Sequence, residues 1–358
     1  MQEIKLEFGN KNSKIFIGRG LINNISKYIE DANSVVIITS HPIRELYGKI
    51  VESSLSEGKI NYITLEVQDG EGAKSIESYL NVINKLLAHK VGRDSIIISL
   101  GGGCVGDLAG FIAATYMRGL ELIHIPTTLL AQVDSSIGGK VAINHPIVKN
   151  LIGTFYQPKL VIIDLNVLKT LPMKEIRNGF AEIIKYGAIL DKELFNILEK
   201  EKNKILQDEI IEKIVSSAVK IKVNIVSKDE YDKGIRMLLN FGHTIGHALE
   251  AVTNYSQYSH GEAISLGMLV EGKISNKLGL LNHEELIRLE RLISEYELPI
   301  RIHEDLTEKI LETIYYDKKV KSNKLRFAIP KRIGEGMIIS DPPREIIISS
   351  LKEVINYV

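Results

Sequence analysis

The sequence has a single cysteine, no net charge and no long apolar run. Cys104 alone among its 358 residues excludes internal disulfides and fits a reducing compartment. The 45 basic and 45 acidic residues cancel, so the charge balance does not point to nucleic acid or an acidic membrane surface as a partner. No apolar stretch approaches the ~18–20 residues of a membrane span, and the N-terminus lacks the core of a signal peptide. We therefore expect a soluble cytoplasmic protein.

The length and the pattern of apolar residues predict two domains. Short β-branched runs alternate with helical patterns through the first half, which is typical of a mostly parallel sheet covered by helices. The predicted strands are 35–38, 60–67, 95–100, 121–125 and 161–164. A helix is predicted over 75–89, with Tyr79, Leu80, Ile83, Leu86 and Leu87 on its apolar face.

Beyond Leu171-Pro172 helical patterns dominate. They cover 174–190, 192–200, 209–226, 244–253, 262–278 and 284–297, with a late hairpin over 325–330 and 337–340. We predict an α/β domain over 1–171, a helical domain over 172–358, and an active site in the cleft between them.

The stretch from Ser95 to Asn150 carries the chemistry of the first domain. Gly101, Gly103 and Gly106 follow a predicted strand, precede a predicted helix and fit G-x-G-x-x-G. This arrangement lets backbone N–H groups face a phosphate, although a tight turn without a ligand has the same pattern. The segment then adds hydroxyl, carboxylate and ammonium groups in Pro126-Thr127-Thr128, Asp134-Ser135-Ser136, Gly138-Gly139-Lys140 and Lys149-Asn150. We therefore interpret it as a ligand site at the carboxyl ends of the strands.

Two lysines of the helical half have both a structural and a functional interpretation. Glu182 and Lys185 share a helix face, where a surface ion pair is favoured on local grounds, although their neighbours are unusually apolar. Lys222 lies at the border of an apolar stripe. Most such lysines reach water, whereas a buried one needs an anion, so a substrate contact stays open.

The densest signal is the segment from Arg236 to His247. His243 and His247 are four residues apart on a predicted helix, which is the geometry of two metal ligands, and His260 opens the next helix. The sequence argues against a zincin protease, because Thr244 stands where that motif needs glutamate. Spacing alone predicts His243 and His247 as a ligand pair for a Lewis-acid Zn²⁺.

Together these motifs resemble the 3-dehydroquinate synthase family, in family order over roughly residues 35 to 330. The combination is far more specific than any one motif. The matching segments are Asp69-Gly70-Glu71, Lys74-Ser75, Gly101-Gly102-Gly103, Gly106-Asp107, Arg118-Gly119, the runs 126–136, 138–140, 149–153, 155–158 and 168–172, Ala181-Glu182, Lys185, the run 240–247, His260-Gly261-Glu262 and Asp317-Lys318-Lys319.

The resemblance implies a dehydroquinate-synthase-like fold with an NAD-binding α/β domain and a helical metal-binding domain. It implies Glu182, His243 and His260 as ligands of Zn²⁺ or Co²⁺, and assigns His247 to the substrate instead. The implied NAD-binding residues are Asp69, Gly70, Glu71, Gly72, Ala73, Lys74, Gly103, Cys104, Val105, Gly106, Asp107, Thr127, Thr128, Lys140, Lys149, Val167, Leu168, Lys169 and Thr170. The implied substrate-contacting and catalytic residues are Arg118, Asp134, Lys140, Asn150, Lys185, Lys222, Arg236, Asn240, His247, Lys318 and Lys319.

The implied reaction is one step of the shikimate pathway, and the implied enzyme is a phosphate-eliminating lyase. It converts 3-deoxy-D-arabino-heptulosonate 7-phosphate into 3-dehydroquinate and phosphate through transient oxidation by NAD, elimination, re-reduction, ring opening and aldol closure. The resemblance also implies a homodimer that takes a small sugar phosphate. The charge balance and the lack of a long apolar run predict neither nucleic acid nor membrane as a partner.

Three other functions fit these residues less well. Another NAD- and metal-dependent sugar-phosphate cyclase would take a substrate without a carboxylate, whereas Arg236, Asn240 and Lys222 suit a carboxylate. A metal-dependent polyol dehydrogenase would not need this set of cations. A non-enzymatic ligand-binding relative would not need to keep the implied metal ligands and catalytic lysines, which are Glu182, His243, His260, Lys140 and Lys185.

Overall fold

The computed structural model describes residues 1–8, 11–29, 33–321 and 324–355, without the side chains of Phe8, Lys11 and 317–321. The chain divides into two compact units, Met1–Pro172 and Met173–Val358. Within the described ranges no helix is both long and apolar enough to cross a membrane.

The first unit is built on a seven-stranded sheet. Its strands are β1 (Gln2–Phe8), β2 (Lys11–Gly18), β3 (Ser34–Ser40), β4 (Tyr62–Val67), β5 (Ser95–Gly101), β6 (Glu121–Pro126) and β9 (Leu160–Asp164), in the order β1-β2-β9-β6-β5-β3-β4. Only the β1–β2 pair is antiparallel among them. The predicted parallel sheet is confirmed, and β7 (Lys140–Ile143) and β8 (Ile152–Phe155) add a separate hairpin that the sequence analysis did not predict.

Helices cover both faces of this sheet. They include α1 (His41–Ile43), α2 (Lys49–Glu57), α3 (Ile76–Ala88) and α4 (Gly103–Thr115). Val35 and Ile37 face a core with α2, whereas Val36 and Ile38 face a core with α3 and α4. Because both faces are buried, the strands are continuous apolar runs without alternation.

The predicted apolar face of α3 was partly wrong. Val82 and Leu86 are buried, whereas Leu80 and Leu87 are 52% and 58% exposed. The buried stripe follows the spacing i, i+3, i+4, i+7 from Tyr79, and Leu80 and Leu87 lie one residue off that stripe.

Parallel strands bring their carboxyl ends to one edge of the sheet. The segments that follow β3, β4, β5, β6 and β9 start there: Ser40 ends β3, a short 3₁₀ turn over Gly70–Lys74 follows β4, and a second over Leu165–Thr170 follows β9. The glycine turn and Thr127-Thr128 follow β5 and β6. The segments predicted to form the ligand site of the first domain therefore share one edge of the sheet.

The second unit is helical, as predicted. Its helices are α5 (Met173–Ile189), α6 (Lys192–Glu201), α7 (Asp208–Lys228), α8 (His243–Val252), α9 (His260–Lys277), α10 (His283–Glu295), α11 (Thr307–Lys321) and α12 (Arg344–Lys352). The predicted hairpin is β10 (Arg326–Arg332) with β11 (Glu335–Ser340), paired antiparallel. Helix α9 is buried along most of its length, because α5, α8, α10 and α12 all pack against it.

Candidate active site

Close backbone approaches bring three helices of the second unit together. A Cβ on Gly261, the second residue of α9, would lie 2.6 Å from Cα of Asn178 on α5. Ser259 Oγ also lies 2.7 Å from Oδ1 of Asn178. On the other side of α9, a Cβ on Gly267 would overlap the carbonyl oxygen of Gly242, directly before α8. Glycine therefore lets α5 and α8 approach α9 closely enough for their side chains to share one site.

Glu182 of α5 meets His243 of α8 and His260 of α9 in this site. Its Oε1 lies 3.3 Å from Nε2 of His243 and 3.2 Å from Nε2 of His260. The ligand atoms of all three side chains lie within 4.8 Å of one another. Glu182 is fully buried, and both histidines are partly buried. The structure thus brings together the three residues that the resemblance implies as metal ligands.

A hydrogen bond fixes the ring of His243. Its Nδ1 lies 3.1 Å from the carbonyl oxygen of Phe241, and an imidazole that donates there presents Nε2 as a lone pair toward Glu182. Its helix has no N-cap side chain, because the N-cap is Gly242 at φ +80°. Glu271 of α9 takes that role instead: its carboxylate accepts from the N–H of Gly242 at 2.6 Å and of Ile245 at 3.3 Å.

Burial and neighbouring charges shift the pKa values of these three side chains. Burial alone would raise the pKa of Glu182, but the charges of Lys185 and His243 hold it well below its usual range. Burial lowers the pKa of His243. Burial would also lower the pKa of His260, but hydrogen bonds and charges from Glu182 and Glu250 raise it to about 10.

The surface interpretation of Glu182 and Lys185 was wrong. Both side chains are about 1% exposed, and Lys185 Nζ forms an ion pair with Oε2 of Glu182. The apolar neighbours of the pair gave the correct signal, because a solvent-facing pair would not be surrounded by them. Glu182 thus has one oxygen on the lysine and the other toward the two histidines, which favours its ionised form.

The remaining polar residues of the second unit differ in exposure. Lys222 and Arg236 are buried, so Lys222 does not reach out to solvent in the way most stripe-border lysines do. Arg236 donates through Nη1 to the carbonyl of Glu230 at 2.5 Å. Asn240 is partly buried and His247 is exposed. Lys318 and Lys319 belong to α11, but their side chains lie outside the described residues.

In the first unit, the glycine turn presents bare backbone at the start of α4. The N-cap of this helix is Gly102, which has no side chain to satisfy the first N–H groups. A Cβ on Gly103 would lie 2.9 Å from Oγ of Ser135, and a Cβ on Gly101 would lie 2.8 Å from Val105. A small cavity lies against Gly101, Gly102, Gly103 and Gly106, between His124 and Ser135.

Lys74 is the centre of a polar network beside this turn. The side chain is 4% exposed, and Nζ donates to Oδ2 of Asp107 at 2.6 Å and to Oδ1 of Asn150. Burial raises the pKa of Asp107 to about 6, even though the charge of Lys74 opposes the shift. Glu71 lies 3.9 Å from Nζ of Lys149. The network joins residues that the resemblance assigns separately to NAD and to the substrate.

The other predicted residues of this unit are spread along the same sheet edge and its loops. Arg118 is exposed and adopts φ +69°, an uncommon value for a residue other than glycine. Lys140 is the exposed first residue of β7, and Asp134 lies in the helical turn Ala131–Ser135. The side chains of Val167 and Leu168 pack in the core, so these side chains are not exposed to a ligand.

Sequence reasoning missed three polar residues that contact the predicted site residues or the helix that carries them. Asn144 donates to Glu71 at 2.7 Å, accepts from the N–H of Asn150 at 2.8 Å, and donates its own N–H to the carbonyl of Lys74 at 2.7 Å. Glu271 caps α8, and Glu250 lies 3.5 Å from Nδ1 of His260. Only Glu250 had a usable signal, because it follows His243 by seven residues and His247 by three, on the same helix face.

Two family profiles cover most of the chain. The profile described as 3-dehydroquinate synthase N-terminal matches residues 64–178, and the one described as 3-dehydroquinate synthase C-terminal matches residues 179–320. A 3-dehydroquinate synthase from Dehalococcoides mccartyi is 45% identical, covering 99% of this chain and all of the relative. One from Thermodesulfovibrio yellowstonii is 43% identical at the same coverage.

Solved structures share the fold at lower identity. ValA, a 2-epi-5-epi-valiolone synthase from Streptomyces hygroscopicus with NAD⁺ and Zn²⁺ bound, superposes with a TM-score of 0.90 at 24% identity, covering 97% of this chain and 98% of the other. A 2-deoxy-scyllo-inosose synthase with carbaglucose-6-phosphate, NAD⁺ and Co²⁺ gives 0.88 at 23%, covering 99% and 100%. The fold is therefore that of the dehydroquinate-synthase-like cyclases. By its profiles and full-length relatives, the chain belongs to the 3-dehydroquinate synthase family.

Proposed function

We propose that this protein is a 3-dehydroquinate synthase, which converts 3-deoxy-D-arabino-heptulosonate 7-phosphate into 3-dehydroquinate and phosphate. The observation that carries the proposal is the 45% identity to a full-length relative of that name, together with an intact cluster of Glu182, His243 and His260. The enzyme would use NAD and either Zn²⁺ or Co²⁺, act in the cytoplasm, and form a homodimer.

The donor chemistry of the cluster fits a divalent metal. A tetrahedral site with bonds of about 2.0–2.1 Å places neighbouring ligand atoms about 3.3 Å apart. Oε1 of Glu182 lies 3.3 and 3.2 Å from the two Nε2 atoms, which matches this spacing. Two imidazoles and one carboxylate leave a fourth position for substrate, and they suit both Zn²⁺ and Co²⁺.

The first unit fits the diphosphate of NAD in a comparable way. The bare N-terminus of α4 offers N–H groups and the positive end of a helix dipole. Oγ1 of Thr127 and Oγ of Ser135 are buried without a hydrogen-bond partner in the described part of the chain, which costs free energy unless a ligand is bound. Added Cβ atoms on Gly101 and Gly103 would narrow this space.

When bound, NAD accepts and returns a hydride, while the metal acts as a Lewis acid on the alcohol oxygen of the substrate. The residues of the chain orient the substrate and place charge. Lys185 keeps Glu182 ionised, and Arg236 and Lys222 offer buried cations for the substrate carboxylate. We assign Lys140, Arg118 and Asn150 to the phosphate and hydroxyl groups, where cations stabilise the charge that develops as phosphate leaves.

Phosphate release and NADH absorbance, recorded in the same reaction, test the proposal. With the heptulosonate phosphate, NAD⁺ and Zn²⁺, we expect phosphate to appear without net NADH, because the hydride returns within each turnover. Net NADH from simple polyols without phosphate would indicate a dehydrogenase. Activity only on sugar phosphates that lack a carboxylate would indicate another cyclase.

A further inference from the structure

The ring of His260 has a carboxylate on each side. Its Nε2 faces Oε1 of Glu182 at 3.2 Å, on the side of the ring that the metal site uses. Its Nδ1 faces Oε1 of Glu250, on helix α8, at 3.5 Å. The Glu250 side chain is 12% exposed, so water competes weakly for this contact.

The other carboxylate near His260 is already engaged. Glu262, two residues further along α9, accepts through Oε2 from both the N–H and the Oγ of Ser259 at 2.7 Å, which closes the capping box of that helix. Glu250 is therefore the carboxylate that faces Nδ1. It also lies three residues after His247, whose ring centroid is 5.9 Å from that of His260.

We propose that Glu250 is a positioning residue, which accepts the Nδ1 proton of His260 and so fixes the ring with Nε2 toward the metal. This inference rests on the metal-dependent function proposed above. A ligating imidazole that donates its other N–H to a carboxylate is held in one tautomer and becomes a stronger ligand. His243 has its counterpart in the Phe241 carbonyl, so Glu250 gives His260 the stronger, charged acceptor.

Two variants of Glu250 separate this role from a general loss of stability and from a second metal site. Glu250→Ala removes the acceptor, whereas Glu250→Gln keeps a neutral carbonyl oxygen of the same reach. Leu292→Ala is the control, because Leu292 is fully buried in α10, a helix that carries none of the three proposed ligands, and its truncation should destabilise the second unit.

Metal binding is measured on purified, metal-stripped protein with Zn²⁺ against a chromophoric chelator, and by the visible absorption of the Co²⁺ form. We expect Glu250→Ala to bind Zn²⁺ about 10–100-fold more weakly with a changed Co²⁺ spectrum. Glu250→Gln is expected to lie between Glu250→Ala and the unaltered protein. Leu292→Ala is expected to unfold at lower temperature while its metal affinity stays unchanged.

Unchanged Zn²⁺ affinity in Glu250→Ala would overturn the proposal. So would two metal ions per chain with only the weaker one lost in Glu250→Ala, because His247, Glu250 and His260 would then form a separate metal site. Neither readout uses substrate, so a protein that binds one metal through these residues but releases no phosphate would refute the proposed activity alone.

Discussion

The close approach of α8 to α9 makes Gly267 the position where one methyl group should do most damage. An added Cβ would overlap the Gly242 carbonyl oxygen and lie 2.8 Å from its carbonyl carbon and 2.9 Å from the nitrogen of Gly246. These are backbone atoms, so the helices must separate. The moved segment starts α8 and leads directly into His243.

Gly272, five residues further along α9, provides the matched comparison. There an added Cβ meets only side-chain ends, Leu286 at 3.2 Å and Leu289 at 3.4 Å. Gly→Ala in a helix interior gains about 1 kcal/mol of helix propensity at either site. Overpacking typically costs about 1–3 kcal/mol, and the backbone overlap puts Gly267→Ala at or beyond the upper end.

We therefore expect Gly267→Ala to lower the free energy of unfolding by about 2 kcal/mol or more relative to Gly272→Ala, measured by urea unfolding. Its Zn²⁺ affinity should also fall about tenfold or more, because a displaced α8 carries His243 with it. Equal stability of the two variants, with equal metal affinity, would refute the packing argument.

Three further predictions follow from buried groups. Burial lowers the pKa of His124 to about 4, so between about pH 6.5 and 4 the unfolded state binds a proton that the folded state does not. Urea unfolding should therefore show the free energy of unfolding falling by up to about 3 kcal/mol as the pH drops through this range. The pH dependence should be flatter in His124→Gln. Glu271→Leu leaves the N–H groups of Gly242 and Ile245 without their acceptor, at about 1–3 kcal/mol each, and calorimetry should show a larger loss than for Glu271→Gln. Zn²⁺ at a thousandfold excess over its Kd should stabilise the protein by about 4 kcal/mol, and His243→Ala should abolish that shift in a thermal melt.

The sequence predicted the strands and helices that have a clear local pattern of apolar residues. Parallel strands such as β3 and β5 are continuous β-branched runs, and α7 and α10 have clear apolar stripes, so their bounds agree within a few residues. The short hairpin of β7 and β8 was missed, because four-residue strands leave too little periodicity to detect.

The arrangement of the site depends on contacts between distant segments. Spacing within one helix pointed to His243 and His247, whereas the carboxylate nearest His243 comes from Glu182, 61 residues earlier in the numbering. Such a partner is set by packing between α5, α8 and α9, which no local pattern encodes. The resemblance supplied Glu182, while the burial of its ion pair with Lys185 came only from the structure.

The fate of the hydride tests the central claim most directly. The heptulosonate phosphate is deuterated at C5, the carbon proposed to lose and regain hydride, and is turned over with excess unlabelled NAD⁺. If the chain is a 3-dehydroquinate synthase, mass spectrometry will find the deuterium retained in the product, because the same bound NAD returns it. Deuterium that accumulates in free NADH, with none in the product, would contradict the account and indicate a net dehydrogenase.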